Sequence, residues 1–158
     1  MILESIEDEQ KEGGFITGIA GKKGFTVVSI EKDMMNSEIG FGRKVLEVFE
    51  KQGLSFEHTP SGIDTMSIVI HQDEFVEKEQ EVLAGLHRNV HPDAIEIESG
   101  LALIAVVGRG MKSSHGTAGK LFTALADANV NVKMIDQGSS ELNIICLLYT
   151  SDAADDKA

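Results

Sequence analysis

The stretch VVSIEKDMMNSEIGFGRKVLEVFEK, residues 27–51, joins a run of β-branched residues to a helix-like run through a turn at residues 33–42. A glycine-bearing turn that opens a helix directs free backbone N–H groups and the positive end of the helix dipole at one place. Such a place suits a carboxylate or a phosphate. We therefore expect an anion-binding turn between a strand and a helix.

The same pattern recurs 76 residues later, which is the separation of Gly40 from Gly116. At this offset apolar residues fall on apolar residues and glycine falls on glycine, without a gap. The matched pairs are Met35 with Met111, Ser37 with Ser113, Val45 with Leu121, Phe49 with Leu125, Leu54 with Val130, Phe56 with Val132, Gly62 with Gly138 and Ile68 with Ile144. One unit has been used twice, and we expect two small units in the 158 residues.

The composition is that of an acidic globular protein and argues against several classes of partner. Hydrophobic residues make up 42% of the chain, charged residues 25%, and the formal net charge is −12. This charge disfavours nucleic acid, which needs a basic face, and anionic membranes. The sequence shows no signal-peptide pattern and no apolar run approaching the length of a membrane span, about 18 residues. Its single cysteine excludes an internal disulfide framework. We expect a cytoplasmic protein.

Residues 15–99 show the periodicities of short strands and amphipathic helices. In chain order the pattern predicts a strand at 15–20, a turn at 21–24, a strand at 25–30, the anion-binding turn, a helix that ends at Gly53, a strand at 54–58, a turn at 59–62, a strand at 66–70, a helix capped by Asp73 and ended at 91–93, and a strand at 95–97. From residue 25 onward this is the ferredoxin-like order β-α-β-β-α-β, with both helices on one face of an antiparallel sheet.

The second unit begins at residues 101–107 and follows the same order for its first half. Its pattern predicts a helix at about 117–128 and strands at 130–135 and 142–145. A second helix and a last strand do not follow, whereas the strand at 15–20 precedes the first unit and is spare. We therefore expect the spare strand to complete the second unit, so that two α+β units are interleaved.

Candidate catalytic and metal-binding residues do not cluster in the sequence. The five histidines fall in different predicted elements without an HExxH motif or cysteine partners, so we expect no catalytic residue, no metal and no cofactor. Residues 110–116 resemble a phosphate-binding loop but lack the Walker spacing, because Gly119 and Lys120 are followed by Leu121. RNA binding by a ferredoxin-like sheet needs exposed aromatic residues and basic surroundings, which this pattern does not offer.

Polar residues near the turn at 33–42 favour a ligand site over a packing role. Ser37 precedes Gly40 by three residues, and the strand after the helix carries Ser55 and Glu57. A carboxylate at the free N–H groups and an ammonium beside Glu57 together would recognise a free amino acid. The alternative is that the glycines of the turn only allow close packing where a strand meets a helix.

The second copy of the turn differs at the position expected to take the ammonium group. At the offset of 76, Lys133 replaces Glu57. A cation beside an α-ammonium is repulsive, so this copy suits an amino acid poorly. We expect the first turn to bind the ligand and the second to serve packing or pairing.

Five motifs together resemble the regulatory region of the aspartokinase family. They are FITGIA at 15–20, FTVVSIEKDMMN at 25–36, PSGIDTMS at 60–67, VGRGM at 107–111 and MIDQGSSELN at 134–143, in one order over residues 14–145. The resemblance implies tandem ACT domains, ferredoxin-like modules that bind amino acids, in which the strand before the first module belongs to the second. The implied fold is α+β, two interleaved ferredoxin-like ACT modules (βαββαβ) with antiparallel sheets and helices on one face.

The resemblance also implies a function, an allosteric module of aspartate kinase that binds lysine, threonine or both. Binding would exert feedback inhibition on lysine, threonine and methionine biosynthesis. The implied partners are a second copy of the chain, joined through the ACT modules as a homodimer, and the kinase domain or catalytic subunit that phosphorylates aspartate with ATP. We expect a fragment or a separate regulatory subunit, without the kinase domain and not an enzyme by itself. The alternative is a pure dimerisation module that binds no effector.

Residue by residue, the resemblance implies a set of effector contacts around the first turn. They are Ser37, Gly40, Phe41, Gly42, Ser55, Phe56, Glu57 and Ser61. Weaker candidates are Met35, Ser113, Gly116 and Asn131, and Met35 is expected to be a wall of the site rather than a ligand contact. Lysine and threonine present the same carboxylate and α-ammonium, so these contacts do not separate the two effectors.

The expected domains follow from the repeat and from the resemblance. They are a linker at 1–14, a strand and turn at 15–24 contributed to the second ACT module, the first ACT module at 25–99, a truncated second ACT module at 100–145 and a non-native tail at 146–158. The tail, CLLYTSDAADDKA, resembles the in-frame translation of a transposon-end adapter used in sequencing libraries. Reading the encoding DNA tests this expectation, and ordinary coding sequence would contradict it.

Overall fold

The computed structural model describes residues 16–108, 115–137 and 143–149. Within these ranges the elements are β1 (Ile16–Glu31), α1 (Phe41–Lys51), β2 (Thr65–His71), α2 (Gln72–Val76), α3 (Glu79–Val90), β3 (Ala94–Gly108), α4 (Thr117–Asp127), β4 (Val132–Gln137) and β5 (Asn143–Tyr149), with a 3-10 turn at Met35–Ser37. None of the described helices is long and apolar enough to cross a membrane.

The chain divides into two compact units. The first unit is Gly24–Gly100, and the second unit comprises the described residues of Met1–Lys23 and of Leu101–Ala158. β1 and β3 each contribute residues to both units. The first described residues therefore belong to the second unit, the following residues form the first unit, and the chain then returns to the second unit.

The first unit is an antiparallel sheet with helices, the α+β fold that the sequence predicts. Its strands lie in the order β2-β1-β3. β1 pairs antiparallel with β2, from Phe25 opposite His71 to Glu31 opposite Thr65. This order, with α1 before β2 and α3 before β3, is the ferredoxin-like arrangement.

The core of the first unit lies between its sheet and its two longer helices. α1 contributes Val45, Val48 and Phe49, spaced as one face of a helix, and α3 contributes Val82 and Leu86. The strand residues in the same cluster alternate along β1 and β2, and alternate residues share a face of a sheet. These are Val28, Ile30, Met66, Ile68 and Ile70. Both helices therefore pack on one face, as predicted.

The second unit repeats this plan with a smaller described core. Its strands lie in the order β1-β3-β5-β4, and β5 pairs antiparallel with both β3 and β4. Ile104 and Val106 of β3 pack with Leu121 and Leu125 of α4 in one buried cluster. The same helix-on-sheet packing therefore recurs in the second half of the chain.

Two predicted breaks in strands are wrong. β1 is continuous through residues 21–24, where the sequence predicts a turn, and β3 is continuous where a boundary between strands was expected. Gly24 and Gly100 take positive φ, 84° and 72°, within these strands. A glycine can adopt this conformation without steric cost, so it bends or bulges a strand without ending it.

The predicted strand at 54–58 is also wrong as a regular strand. Pairing with β2 is limited to isolated bridges, His58 with Val69 and Ser61 with Met66. Proline has no N–H to donate to a ladder, and Pro60 only accepts, from Ser67 N–H at 3.0 Å. The segment therefore follows β2 as an irregular edge.

The single helix predicted from Asp73 is two helices. α2 ends at Val76 and α3 begins at Glu79, and His71 rather than Asp73 is the N-cap residue of α2. Phe75 is buried but Val76 is 64% exposed. Phe75 belongs to the same buried cluster as Val82 of α3, whereas Val76 does not, so the apolar spacing did not reveal the break between the two helices.

The repeat is visible in the backbone at the predicted offset of 76. α1 (Phe41–Lys51) and α4 (Thr117–Asp127) occupy equivalent positions. Positive φ recurs in three pairs, Gly24 (84°) with Gly100 (72°), Gly40 (79°) with Gly116 (83°), and Gly53 (69°) with Asn129 (58°). The two halves therefore share the backbone conformation at these three positions as well as their apolar pattern.

Candidate functional site

The turn that precedes α1 is held in place by the loop that leads into β2. Met34 takes a left-handed conformation with φ 60°, and its N–H donates to Asp64 Oδ1 at 3.2 Å. The N–H of Asn36 donates to the carbonyl of Ile63 at 3.1 Å. The Ser37 hydroxyl donates to the carbonyl of Met34 at 2.9 Å. Ser37 therefore caps the turn, and its hydroxyl oxygen retains the capacity to accept.

The start of α1 presents two backbone donors without acceptors. Gly40 is the N-cap residue with φ 79°, and the Phe41 N–H donates to the carbonyl of Glu38 at 3.3 Å. Within the described ranges, the next two N–H groups, of Gly42 and Arg43, have no hydrogen-bond partner. Such groups at a helix start, together with the helix dipole, favour an anion.

Two lysines and one carboxylate surround this helix start. Lys32 Nζ lies 3.0 Å from Glu38 Oε2, and Lys44 Nζ lies 3.4 Å from Glu38 Oε1. The hydrogen bond from Lys32, reinforced by Lys44, lowers the pKa of the Glu38 carboxyl below its ordinary range. Lys32 Nζ also donates to the carbonyl of Val90 at 2.6 Å and lies 5.7 Å from the centre of the Phe41 ring. Glu38 is thus ionised and paired at neutral pH.

Glu57, the residue predicted to take the ammonium group, lies on the irregular edge beside β2. Its backbone N–H donates to the carbonyl of Val69 at 2.8 Å. Its carboxylate Oε1 lies 2.8 Å from Nε2 of His71. The Glu57 side chain is 48% exposed and that of His71 19%. The carboxylate is therefore accessible to a ligand and is already held by a hydrogen bond.

The sequence analysis assigned no role to His71, which contacts Glu57 in the structure. It lies 14 residues from Glu57 in the chain, at the last position of β2. The available signal was the predicted hairpin, since residues on paired strands are neighbours across the sheet. The register of that hairpin, and hence the partner of Glu57, depends on the loop at residues 59–64.

An open groove of 980 Å³ runs along α1 in the first unit. It brings together two of the predicted contacts, Ser55 and Phe56, with residues of the helix. Its lining consists of Arg43, Leu46, Glu47, Phe49, Glu50, Gly53, Leu54, Ser55 and Phe56. Phe56 is 44% exposed. The groove therefore offers an aromatic side chain, a hydroxyl and charged groups of both signs.

The other predicted contacts lie outside the lining of this groove. Ser37, Gly40, Phe41 and Gly42 lie at or before the start of α1, and Ser61 lies beyond the groove, opposite Met66. Met35 is 5% exposed and belongs to the hydrophobic core. One chain therefore arranges the predicted contacts along α1 rather than around a single cavity.

The weaker candidates of the second unit occupy equivalent but different surroundings. Gly116 is the N-cap residue of α4 with φ 83°, and Asn131 is exposed just before β4. Lys133, the equivalent of Glu57, is partly buried in β4. Ser113 lies outside the described residues. The helix start is therefore preserved in the second unit, whereas the acidic residue in the segment after the helix is not.

In the part of the chain that the structure describes, no group of three or more His, Cys, Asp or Glu side chains is arranged to hold a metal ion. The described chemistry consists of backbone donors, hydroxyl groups and paired charges. Groups of this kind suit a polar ligand rather than catalysis, and none of the described contacts pairs a nucleophile with a base.

Comparison with known proteins identifies the fold and its relatives. Residues 104–155 match the ACT domain family. The chain is 40% identical over 141 residues to aspartokinase 3 of Bacillus subtilis, an alignment that covers 89% of this chain and 31% of that protein. The chain thus spans about a third of the length of this relative.

Solved structures give the same result. The aspartate kinase of Clostridium acetobutylicum matches with a TM-score of 0.84 and 51% identity, over 88% of this chain and 32% of that one. The regulatory subunit of aspartate kinase from Thermus flavus matches with a TM-score of 0.72 and 20% identity, over 88% of this chain and 92% of that one. The chain is therefore a relative of the aspartokinases that corresponds to their ACT-domain regulatory region.

Proposed function

We propose that the first unit binds a free amino acid, lysine or threonine, and thereby regulates an aspartokinase allosterically. The observation that carries the proposal is that the first unit holds both an open helix start and an accessible carboxylate, that of Glu57. The N–H groups of Gly42 and Arg43 suit the carboxylate of the ligand. Glu57 suits its α-ammonium, because charge-assisted hydrogen bonds are strong and directional.

A relative supports lysine as one effector. Escherichia coli aspartokinase III, which shares this fold with a TM-score of 0.68 and 20% identity, has been solved in complex with lysine and aspartate. The carboxylate and α-ammonium that we assign to the site belong to every free amino acid. The side chain of the effector would then be selected by the groove, where Glu47, Glu50 and Phe56 face it.

The arrangement of the contacts along α1 favours a site completed by a second copy of the chain. α1 has 11 residues and is therefore about 16 Å long, which exceeds the span of one amino acid. The contacts near its start and those in the groove near its end thus belong to different ligands or to different copies. In the described part of the chain, His58 and Ser61 form isolated bridges to β2 at the edge of the sheet, and a strand edge invites a second chain.

The regulated partner in this proposal is the kinase domain or catalytic subunit that phosphorylates aspartate. The present chain would not catalyse that reaction, and would act as feedback control of lysine, threonine and methionine biosynthesis. An effector changes the activity of a kinase only when its affinity differs between the active and inhibited arrangements. The ACT modules at 25–99 and 100–145, with residues 15–24 in the second, and a cytoplasmic location belong to the same proposal.

Calorimetry with matched ligands tests the proposal. L-lysine and L-threonine are titrated into the full chain, alongside lysine methyl ester, which lacks the carboxylate, and Nα-acetyl-lysine, which lacks the α-ammonium. We expect saturable binding of lysine, threonine or both. We expect no binding of lysine methyl ester or of Nα-acetyl-lysine. A folded chain that binds neither amino acid would contradict effector binding and would leave dimer assembly as the function of the modules.

A further inference from the structure

We propose that His71 is a positioning residue, which holds the carboxylate of Glu57 for the ammonium group of the bound amino acid. This inference rests on the proposed function, because it concerns how the same site is built. It adds a residue that would not touch the effector and would act only through Glu57. The contact that suggests it is the 2.8 Å separation of His71 Nε2 from Glu57 Oε1.

The imidazole of His71 is fixed by its neighbours. Its ring centre lies 4.9 Å from that of Phe25, at an interplanar angle of 33°, and the two residues are direct partners across β1 and β2. Phe25 is 2% exposed and is therefore a rigid surface for the ring. An imidazole that is held in this way presents Nε2 in one direction, toward the carboxylate.

Glu57 needs such support because of where it lies. An exposed glutamate on an irregular strand edge has three rotatable side-chain bonds, and ordering them opposes ligand binding. The Glu57 backbone is fixed by the hydrogen bond from its N–H to the Val69 carbonyl, and His71 fixes the other end of the side chain. The two contacts together define where the carboxylate stands.

The pairing with His71 also gives the two carboxylate oxygens of Glu57 different roles. Oε1 is occupied by His71, and in the described part of the chain Oε2 of Glu57 has no protein partner. A carboxylate has enough lone pairs to accept from an imidazole and an ammonium at once. His71 therefore directs one oxygen inward and leaves the other for the ligand.

A role of His71 in stability alone would make different predictions from a positioning role. His71 is the N-cap residue of α2, but its side chain makes no capping hydrogen bond, so replacing it removes no cap. His71→Leu retains an apolar contact with Phe25 and removes the donor, whereas His71→Gln retains a side-chain N–H donor. His87, exposed on α3, provides the matched control His87→Leu.

The test measures the affinity of the full chain for L-lysine and L-threonine by calorimetry, together with the thermal midpoint. We expect His71→Leu to weaken binding of the effector about 3- to 10-fold, the value of one hydrogen bond. His71→Gln should restore most of the loss, and His87→Leu should bind as the natural chain does. The positioning role would be overturned if the loss of affinity in each variant matched its loss of thermal midpoint and did not depend on whether residue 71 carries an N–H donor.

Two further outcomes separate this inference from the proposed function. If the natural chain binds neither amino acid, the proposed function fails and the positioning role fails with it. If the natural chain binds and Glu57→Ala loses affinity while His71→Leu does not, only the positioning role is overturned. A ligand-free measurement adds an independent readout, since nitrogen NMR of the His71 ring should report a proton on Nε2 that changes in Glu57→Gln. A ring signal that does not respond to that substitution would contradict the pairing.

Discussion

The helix starts of the two units have the same backbone and different side chains around it. Gly40 and Gly116 take φ of 79° and 83°, and in each unit the N–H of the lysine four residues later donates to the glycine carbonyl at 3.0 Å. The segment after the helix carries Glu57 in the first unit and Lys133 in the second. The repeat thus supplies two helix starts with the same backbone geometry, and the segment after the helix is acidic at this position only in the first unit.

The difference extends to the strand that carries these two residues. In the second unit Val132–Gln137 is a strand that pairs with β5, with one register shift between Val132 and Met134, whereas the equivalent residues 56–61 form isolated bridges to β2. Irregular backbone exposes side chains at positions that a ladder would fix. The first unit therefore combines the shared helix start with an edge that forms isolated bridges, and Glu57 and Ser61 lie on that edge.

The largest expected effect on stability concerns helix packing and contrasts the two units. A Cβ at Gly85 would lie 2.7 Å from Cγ1 of Val48, so Gly85→Ala forces α1 and α3 apart. We expect this substitution to lower the free energy of unfolding by about 1–3 kcal/mol. Gly119→Ala in α4 is the matched control, because a Cβ there meets nothing within 4 Å. It should raise the free energy of unfolding by up to about 1 kcal/mol. Urea denaturation measures both, and equal losses would contradict the packing difference.

The next prediction concerns the backbone that the two units share. Gly40→Ala and Gly116→Ala each place a side chain at positive φ, which costs about 1–2 kcal/mol. We expect similar losses in the free energy of unfolding from the two substitutions, because Gly40 and Gly116 have the same backbone conformation at the two helix starts. The midpoints of denaturant unfolding measure both losses. A loss at one position only would contradict the expectation that the two glycines contribute equally to stability.

The smallest effect is electrostatic and depends on pH. Lys32 and Lys44 lower the pKa of Glu38 in the folded chain, so this group stabilises the fold above its unfolded pKa. That contribution is lost as pH falls through the lowered folded pKa, where the carboxyl becomes protonated. Glu38→Gln should therefore lower the thermal midpoint at about pH 7, and this difference should shrink as the pH falls below about 4.3, the ordinary pKa of a glutamate. A difference that does not change with pH would contradict the ion pairs.

The element types of this chain could be predicted because its apolar residues have clear periods. Phe41, Val45 and Phe49 mark the face of α1 that the structure buries, and the offset of 76 placed α4 correctly. Gly24 misled the prediction because a glycine indicates a turn and a bend in a strand equally well. Which of the two forms depends on whether a partner strand continues past it, which local sequence does not encode.

The candidate site could be predicted only in part. The open N–H groups of α1 follow from the chain itself, since every helix start has them. The pairing of Glu57 with His71 depends on the register between residues 57–61 and β2, and Pro60 makes that register irregular. Lys32 was also missed, because its bond to the Val90 carbonyl joins residues 58 apart in the chain.

The most direct test of the difference between the two units is the affinity for L-lysine and L-threonine in a matched pair of variants, Glu57→Ala and Lys133→Ala. Loss of a charged hydrogen-bond acceptor should weaken effector binding about 10- to 100-fold in Glu57→Ala. Lys133→Ala should stay within about twofold of the natural chain, because we place no ligand contact there. Equal losses in the two variants, or a larger loss in Lys133→Ala, would contradict the assignment of the amino-acid site to the first unit.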